Sequence, residues 1–328
     1  MIFLKKPLII LTGPTAVGKT KLSISLAQAV NGAIISADSM QVYRHMDIGS
    51  AKIRPEEMCG VPHYLIDVLD PSEEFHVVKF VELAHEAMEK IYAAGQIPIV
   101  TGGTGFYIQA LLKEVDFTES HGELSIRKQL EEKAATEEGA AELYRELSEV
   151  DPASAETIHP NNVKRVIRAL EYYHETGQKI SEHNEEQKQK ESPYCSAYFV
   201  LNDERSILYD RIDRRVDQMI CDGLVDEVFR LKEMGYTRDL VSMQGLGYKE
   251  LFPYLAGECT LEEAVYIIKR DTRHFAKGQL TWFRREKDVI WLNKPDFDYD
   301  EEKILSYMLD RWNEIVSADA KEEGEQSC

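Results

Sequence analysis

The sequence predicts an α/β fold, a parallel sheet flanked by helices with an all-helical subdomain inserted into it, and three observations carry that prediction. An apolar run, Leu8-Ile9-Ile10-Leu11, breaks into Gly13-Pro14-Thr15-Ala16-Val17-Gly18-Lys19-Thr20. Two more short apolar runs, Ala33-Ile34-Ile35-Ser36 and Ile97-Pro98-Ile99-Val100, give way to small polar residues, as buried parallel strands do at the end where ligands sit. From residue 117 to residue 194 the pattern turns helical, charged and poor in strands.

The first run is the most informative. Gly13, Gly18, Lys19 and Thr20 have the G-x-x-x-x-G-K-[ST] spacing, in which small residues let backbone N–H groups curl around a di- or triphosphate. The core is therefore expected to be P-loop NTPase-like. Residues 13–20 are the expected diphosphate-binding loop, with Lys19 neutralising the terminal phosphates and the Thr20 hydroxyl as the expected Mg2+ ligand. Leu22, Leu26 and Ala29 recur at helical spacing behind the loop, so a helix N-terminus points at the anion.

Asp38 follows the second strand and either faces the same crevice as Lys19 or caps a turn, since Asp is favoured in both places. Residues 41–54, with Tyr43, Arg44, His45 and Asp47, read as an active-site loop more than a packed element. A helix is expected over residues 77–94, stopped by Gly95. The third strand leads into Thr101-Gly102-Gly103-Thr104-Gly105, where glycines permit close approach of a ligand or make a turn, and Thr104 offers a hydroxyl. That strand lacks the acidic residue that commonly partners a phosphate loop.

Within the insertion, helices are expected at 125–133, 142–148 and 163–176, the last bringing Lys164, Arg165 and Arg168 to one side. Residues 182–191 read as a solvated helix or linker. Strand character returns at Tyr198-Phe199-Val200-Leu201, and residues 206–232 read as a helix with Arg211 and Arg215 facing one way. A basic helix over 261–285 carries Gln279, Trp282 and Phe283, as core or as a nucleic-acid face. Residues 289–292 form the last expected strand, and the acidic end is expected to fray. The expected domains are 1–116 with 198–328, and the insertion 117–197.

Net charge, −19 from 39 basic and 58 acidic residues, argues on its own against a nucleic-acid partner. Three basic clusters argue the other way, the densest being residues 269–287 with seven Lys or Arg and two acids. Five scattered cysteines without a C-x-x-C pair disfavour disulfides and zinc. With no apolar leader or membrane span in the sequence, a cytoplasmic protein without a membrane partner is expected.

Taken together, GPTAVGKT (13–20), DSMQVYRHMD (38–47), GGTGFYI (102–108), HPNNVKRVIRALE (159–171), QGLGYKE (244–250) and TRHFAKGQLTWFR (272–284) resemble the tRNA dimethylallyltransferase family. The resemblance spans nearly the whole chain. It implies a tRNA-modifying prenyltransferase that moves a dimethylallyl group from dimethylallyl diphosphate to N6 of adenosine 37, with Mg2+ as cofactor. It implies catalytic roles for Asp38 as base, Thr104 in positioning and Arg215 as a phosphate clamp. The anticodon stem-loop would be held by Asp38, Ser39, Met40, Gln41, Thr104, Arg127, Lys164, Arg165, Arg168, Gln244, Tyr248, Lys249, Lys277, Gln279 and Arg284. The adenosine would be flipped into a channel between core and insertion, and a monomer is expected. Three departures from the family pattern stand out. Gly278 occupies a usual Arg position, which predicts the loss of one basic tRNA contact, His45 a usual Gly or Lys position, and Asn162 a usual Asp position.

Two other readings stand beside it, one from the phosphate loop alone and one from the basic clusters. One is an ATP-binding small-molecule kinase using Asp38 as base with Arg211 and Arg215 as clamp. The other is a nucleotide-gated RNA-binding module without chemistry.

Overall fold

The computed structural model of the chain describes residues 5–115 and 124–326. In chain order the elements are β1 (Lys6–Thr12), α1 (Lys19–Val30), β2 (Gly32–Ala37), β3 (His63–Tyr64), α2 (Val77–Ala93), β4 (Ile97–Gly102), α3 (Gly105–Leu112) and α4 (Leu124–Lys133). Then come α5 (Glu137–Val150), α6 (Pro152–Thr157), α7 (Val163–Thr176), α8 (Ile180–Gln189), β5 (Tyr194–Asn202), α9 (Arg205–Cys221) and α10 (Leu224–Glu233). The chain closes with α11 (Leu251–Leu255), α12 (Leu261–Phe283), β6 (Ile290–Asn293) and α13 (Glu301–Gln326). Two compact units result, Met1–Leu112 with Pro193–Cys328, and Lys113–Ser192.

In the first unit six parallel strands stand in the order β3-β2-β4-β1-β5-β6. Alternate residues face two separate cores: Leu8, Ile10, Ile35 and Val100 on one side, Ile9, Leu11, Ile34 and Ile99 on the other. Both faces are covered, so the strands read as continuous apolar runs instead of alternating ones. On the helix behind the loop the buried face is Leu22, Ser23, Leu26 and Ala27, whereas Ala29 is exposed. Strand β3, two residues long, has too little periodicity to be read from sequence.

Three expectations need correction. Strand β5 begins at Tyr194, four residues before the apolar run at Tyr198, because Lys6 and Tyr194 already pair; the other expected boundary, at residues 116 and 117, lies outside the described residues. The helix expected over 206–232 is two helices, broken at Gly223, whose φ of 99° is accessible to glycine. The acidic end is the long helix α13, held to the sheet by Ile304, Met308, Trp312 and Val316. These four lie four apart, so one apolar stripe outweighs the acidic surface.

The second unit consists of α4 to α8 around Leu143, Leu147, Val166 and Leu170. Buried Asp151 ties two of its helices, accepting from Ser154 N and Oγ and from Ser181 N and Oγ. Burial alone would raise the Asp151 pKa, but these four bonds outweigh it and hold the carboxyl below its usual range. The departure at Asn162 falls on the N-cap of α7, where the Asn side chain makes no capping bond; an Asp there would add the charge that a helix N-terminus favours.

Candidate functional site

The loop between β1 and α1 takes its shape from left-handed backbone at Gly13, Ala16 and Gly18. A side chain on Gly13 would run into the Leu201 carbonyl of β5. Lys19 opens α1 and folds its ammonium back over the loop, donating to Gly13 O at 2.9 Å and Pro14 O at 2.8 Å. Desolvation, then the neighbouring Arg215, push its pKa from 10.5 down to about 7, against the pull of Asp38. Arg215 projects from α9 into the same cavity, and loss of water lowers its guanidinium as well, while Asp38 again opposes. Two cations thus face one carboxylate, an arrangement that recruits an anion.

Asp38 combines both roles that its position suggested. Its Oδ1 accepts from Met40 N at 2.8 Å and Gln41 N at 3.3 Å, an Asx turn that fixes the carboxylate, while the residue lines the cavity. Among the described residues Oδ2 takes no hydrogen bond. The cavity encloses about 320 Å³. At one end lie Thr15, Ala16, Gly18, Lys19 and Thr20; elsewhere its walls carry Ile34, Ile53, Ile66 and Phe275. It therefore offers a phosphate subsite and an apolar one.

Of the loop residues, Gly13, Pro14 and Val17 do not line the cavity; the first two supply the carbonyls that hold Lys19, and Val17 is buried beneath. Gln41 lines it, and Ser39 and Met40 do not. Thr101, Gly102 and Gly103 line it, while Thr104 stands just beyond them at the start of α3. Protein crowds the glycines after β4: a Cβ on Gly103 would strike Gln279, and one on Gly105 would strike Trp282.

Gln279 and Tyr248, expected at the tRNA surface, are buried at 7% and 0% exposure. Gln279 Oε1 accepts from Thr15 N at 2.9 Å and its Nε2 donates to Gly103 O at 3.0 Å, bridging the phosphate loop to β4. Phe283 belongs to the core and Trp282 packs against Phe106, so packing explains the aromatics of α12. Much of the basic character is spent internally: Arg211 pairs with Asp203, Arg273 with Asp213 and Lys269 with Asp217. Arg127 and Arg168 both turn to buried Glu171. Lys164, Arg165, Lys277 and Arg284 are exposed and enter no ion pair among the described residues. Lys249 lies 3.7 Å from Glu250, and Gln244 is exposed, donating to Arg238 O.

Sequence reasoning missed Lys294, 8% exposed, which donates to Val17 O at 3.2 Å under the phosphate loop. It also missed His63, whose Nδ1 lies 2.8 Å from Val61 O and which lines the cavity beside Ile34. Neither belongs to a local motif. Two departures remain. His45 has φ 67°, the left-handed region that favours Gly, and Gly278 sits on α12 where a Cβ meets open space.

A family model described as IPP transferase matches residues 41–286. A tRNA dimethylallyltransferase of Lachnoclostridium phytofermentans is 66% identical over 93% of this chain and 96% of its own length. One of Acetivibrio thermocellus is 50% identical over 92% and 96%. The structure is similar to a tRNA isopentenylpyrophosphate transferase from Bacillus halodurans, at TM-score 0.73 and 44% identity over 98% of this chain and all of that one. It is also similar to a eukaryotic dimethylallyltransferase described as acting on tRNA, at TM-score 0.77 and 35% identity over 88% and 74%.

Proposed function

The chain belongs to the IPP transferase family, and from that premise we propose that it transfers a dimethylallyl group from dimethylallyl diphosphate to N6 of adenosine 37 in tRNA, releasing diphosphate. One observation carries the reading. Lys19, Arg215 and Asp38 converge on a cavity that is cationic at the phosphate loop and apolar along Ile34, Ile53 and Ile66, which suits a diphosphate with a short hydrocarbon tail.

Backbone N–H groups of residues 16–20 and the Lys19 ammonium hold the diphosphate, while the Thr15 N–H stays with Gln279, and Arg215 takes up negative charge as the carbon–oxygen bond breaks. The N6 amine is a poor nucleophile because its lone pair is delocalised into the ring. As N6 bonds to the allylic carbon, Asp38 Oδ2 accepts the proton it sheds, and the Asx turn keeps that oxygen in place. Thr104, next to the cavity wall, positions the adenosine.

Among the described residues no group of three His, Cys, Asp or Glu could hold a metal by itself. The oxygen the phosphate loop offers is the Thr20 hydroxyl, which fits Mg2+ held largely by phosphate oxygens and water. Bound there, Mg2+ would offset further charge on the leaving diphosphate. The exposed cations Lys164, Arg165, Lys277 and Arg284 fit contacts to tRNA phosphates, which makes binding salt-dependent. A cytoplasmic monomer without a membrane partner suits the reading, and among the described residues no helix is long and apolar enough to cross a membrane.

The test is incubation with unmodified tRNA and Mg2+, supplying dimethylallyl diphosphate or γ-labelled ATP, with nucleosides read by mass spectrometry. Dimethylallyl adenosine from the first donor alone is expected. Phosphoryl transfer from ATP, or tRNA binding without transfer from either donor, would refute the assignment.

A further inference from the structure

Glu227 on α10 is a buried carboxylate, 2% exposed, that no step above uses. Its Oε2 accepts from Asp47 N at 3.0 Å and Ile48 N at 2.8 Å; its Oε1 accepts from Gly49 N at 3.1 Å and from the Tyr248 hydroxyl at 2.7 Å. Four donors and no cation surround it among the described residues. Bonds to an ionised acceptor are the stronger kind, and losing one partner leaves a buried group unsatisfied.

What the carboxylate grips is the start of the cavity wall. Ser50, Ala51 and Ile53 line the cavity directly after the gripped residues, in a segment with no helix or strand of its own to fix it. The grip is closed from behind by the Tyr248 ring, which occupies the space a Cβ on Gly49 would need. From the other side Lys52, its side chain 5% exposed, donates to Tyr43 O and pairs with Asp47 and Asp67. Among the described residues no side-chain hydrogen bond or ion pair joins the phosphate loop to these groups; Gln279 and Lys294 brace it instead. The two ends of the cavity are thus held by separate sets of side chains.

We propose that Glu227 and Tyr248 are positioning residues that fix the Ser50–Ile53 part of the donor cavity's wall, with Ile53 as its apolar side chain, so that affinity for the hydrocarbon tail depends on them and affinity for the diphosphate does not. The proposal rests on the donor assigned above and specifies which residues set its tail subsite. A carboxylate that served stability alone would, when weakened, lower the melting temperature without distinguishing a ligand with a tail from one without.

The experiment compares dimethylallyl diphosphate with inorganic pyrophosphate by titration calorimetry in the full chain, for wild type, Tyr248→Phe and Glu227→Gln. Tyr248→Phe keeps the ring against Gly49 and removes one of the four bonds, so it preserves the fold even if Glu227→Gln, which turns an acceptor into a donor facing amides, does not. Tyr248→Phe is expected to weaken dimethylallyl diphosphate by up to about tenfold, the worth of one charge-assisted bond being the most that the wall can pass to the ligand, while pyrophosphate stays within about twofold. In turnover the same loss should appear in the donor KM, with kcat within about threefold of wild type. Equal weakening of both ligands, or no change in either, overturns the proposal. A wild type that binds both ligands alike overturns the donor assignment itself, and this proposal with it, before any variant is compared.

Discussion

Lys19 carries a prediction that a titration can check. Desolvation, and then Arg215, push its pKa from 10.5 down to about 7. A diphosphate brings charge that restores the protonated form, so binding above neutrality must take up a proton. With a free pKa of about 7, the lysine is roughly one-tenth protonated at pH 8 and nine-tenths at pH 6, giving uptake of about 0.9 and 0.1 proton per ligand. Through this group affinity should fall toward tenfold per pH unit above 7. Calorimetry with pyrophosphate in two buffers of different ionisation heat measures the uptake, and Lys19→Met isolates the lysine from the ligand's own titration. Equal uptake at pH 6 and pH 8, or uptake that survives in Lys19→Met, would refute the reasoning. The stability linkage has a definite sign too. Between pH 7 and 10.5 the unfolded chain binds more protons at this site than the folded one, so its contribution to stability improves as pH rises through that window.

Gln279→Ala removes the partners of the half-buried Thr15 N–H and Gly103 carbonyl, a net loss of about 1 kcal/mol for each bond; a lowered melting temperature and weakened pyrophosphate binding are expected, with tRNA affinity unchanged in filter binding. Gly278→Arg enters open space on α12, so it should stabilise the helix by about 1 kcal/mol in thermal unfolding. It should also tighten tRNA binding and steepen its salt dependence by about one phosphate contact.

What could be read from sequence was local. The phosphate loop and the start of its helix are contiguous from Leu8 to Thr20, so spacing placed them, whereas for Asp38, one residue after its strand, position left the crevice and a turn as equal readings. The glycines after β4 were legible as constrained, but not their cause, because Gln279 and Trp282 come from a helix far along the chain. Glu227 meets Ile48 across 179 residues and Gln279 meets Thr15 across 264; nothing in periodicity records such partners. Distant pairing such as that of Arg273 with Asp213 was not legible in the basic stretch, and the apolar stripe from Ile304 to Val316 precedes the acidic residues after Ser317 that drew the expectation of fraying.

The most direct test of the account is single-turnover transfer by Asp38→Asn, which keeps an acceptor oxygen for the Met40 and Gln41 amides but removes the base. With donor and tRNA affinities within about threefold of wild type, transfer should slow by about 10²–10⁴-fold, the usual worth of a positioned base. Transfer within tenfold of wild type would contradict the assignment of Asp38 as the group that takes the proton.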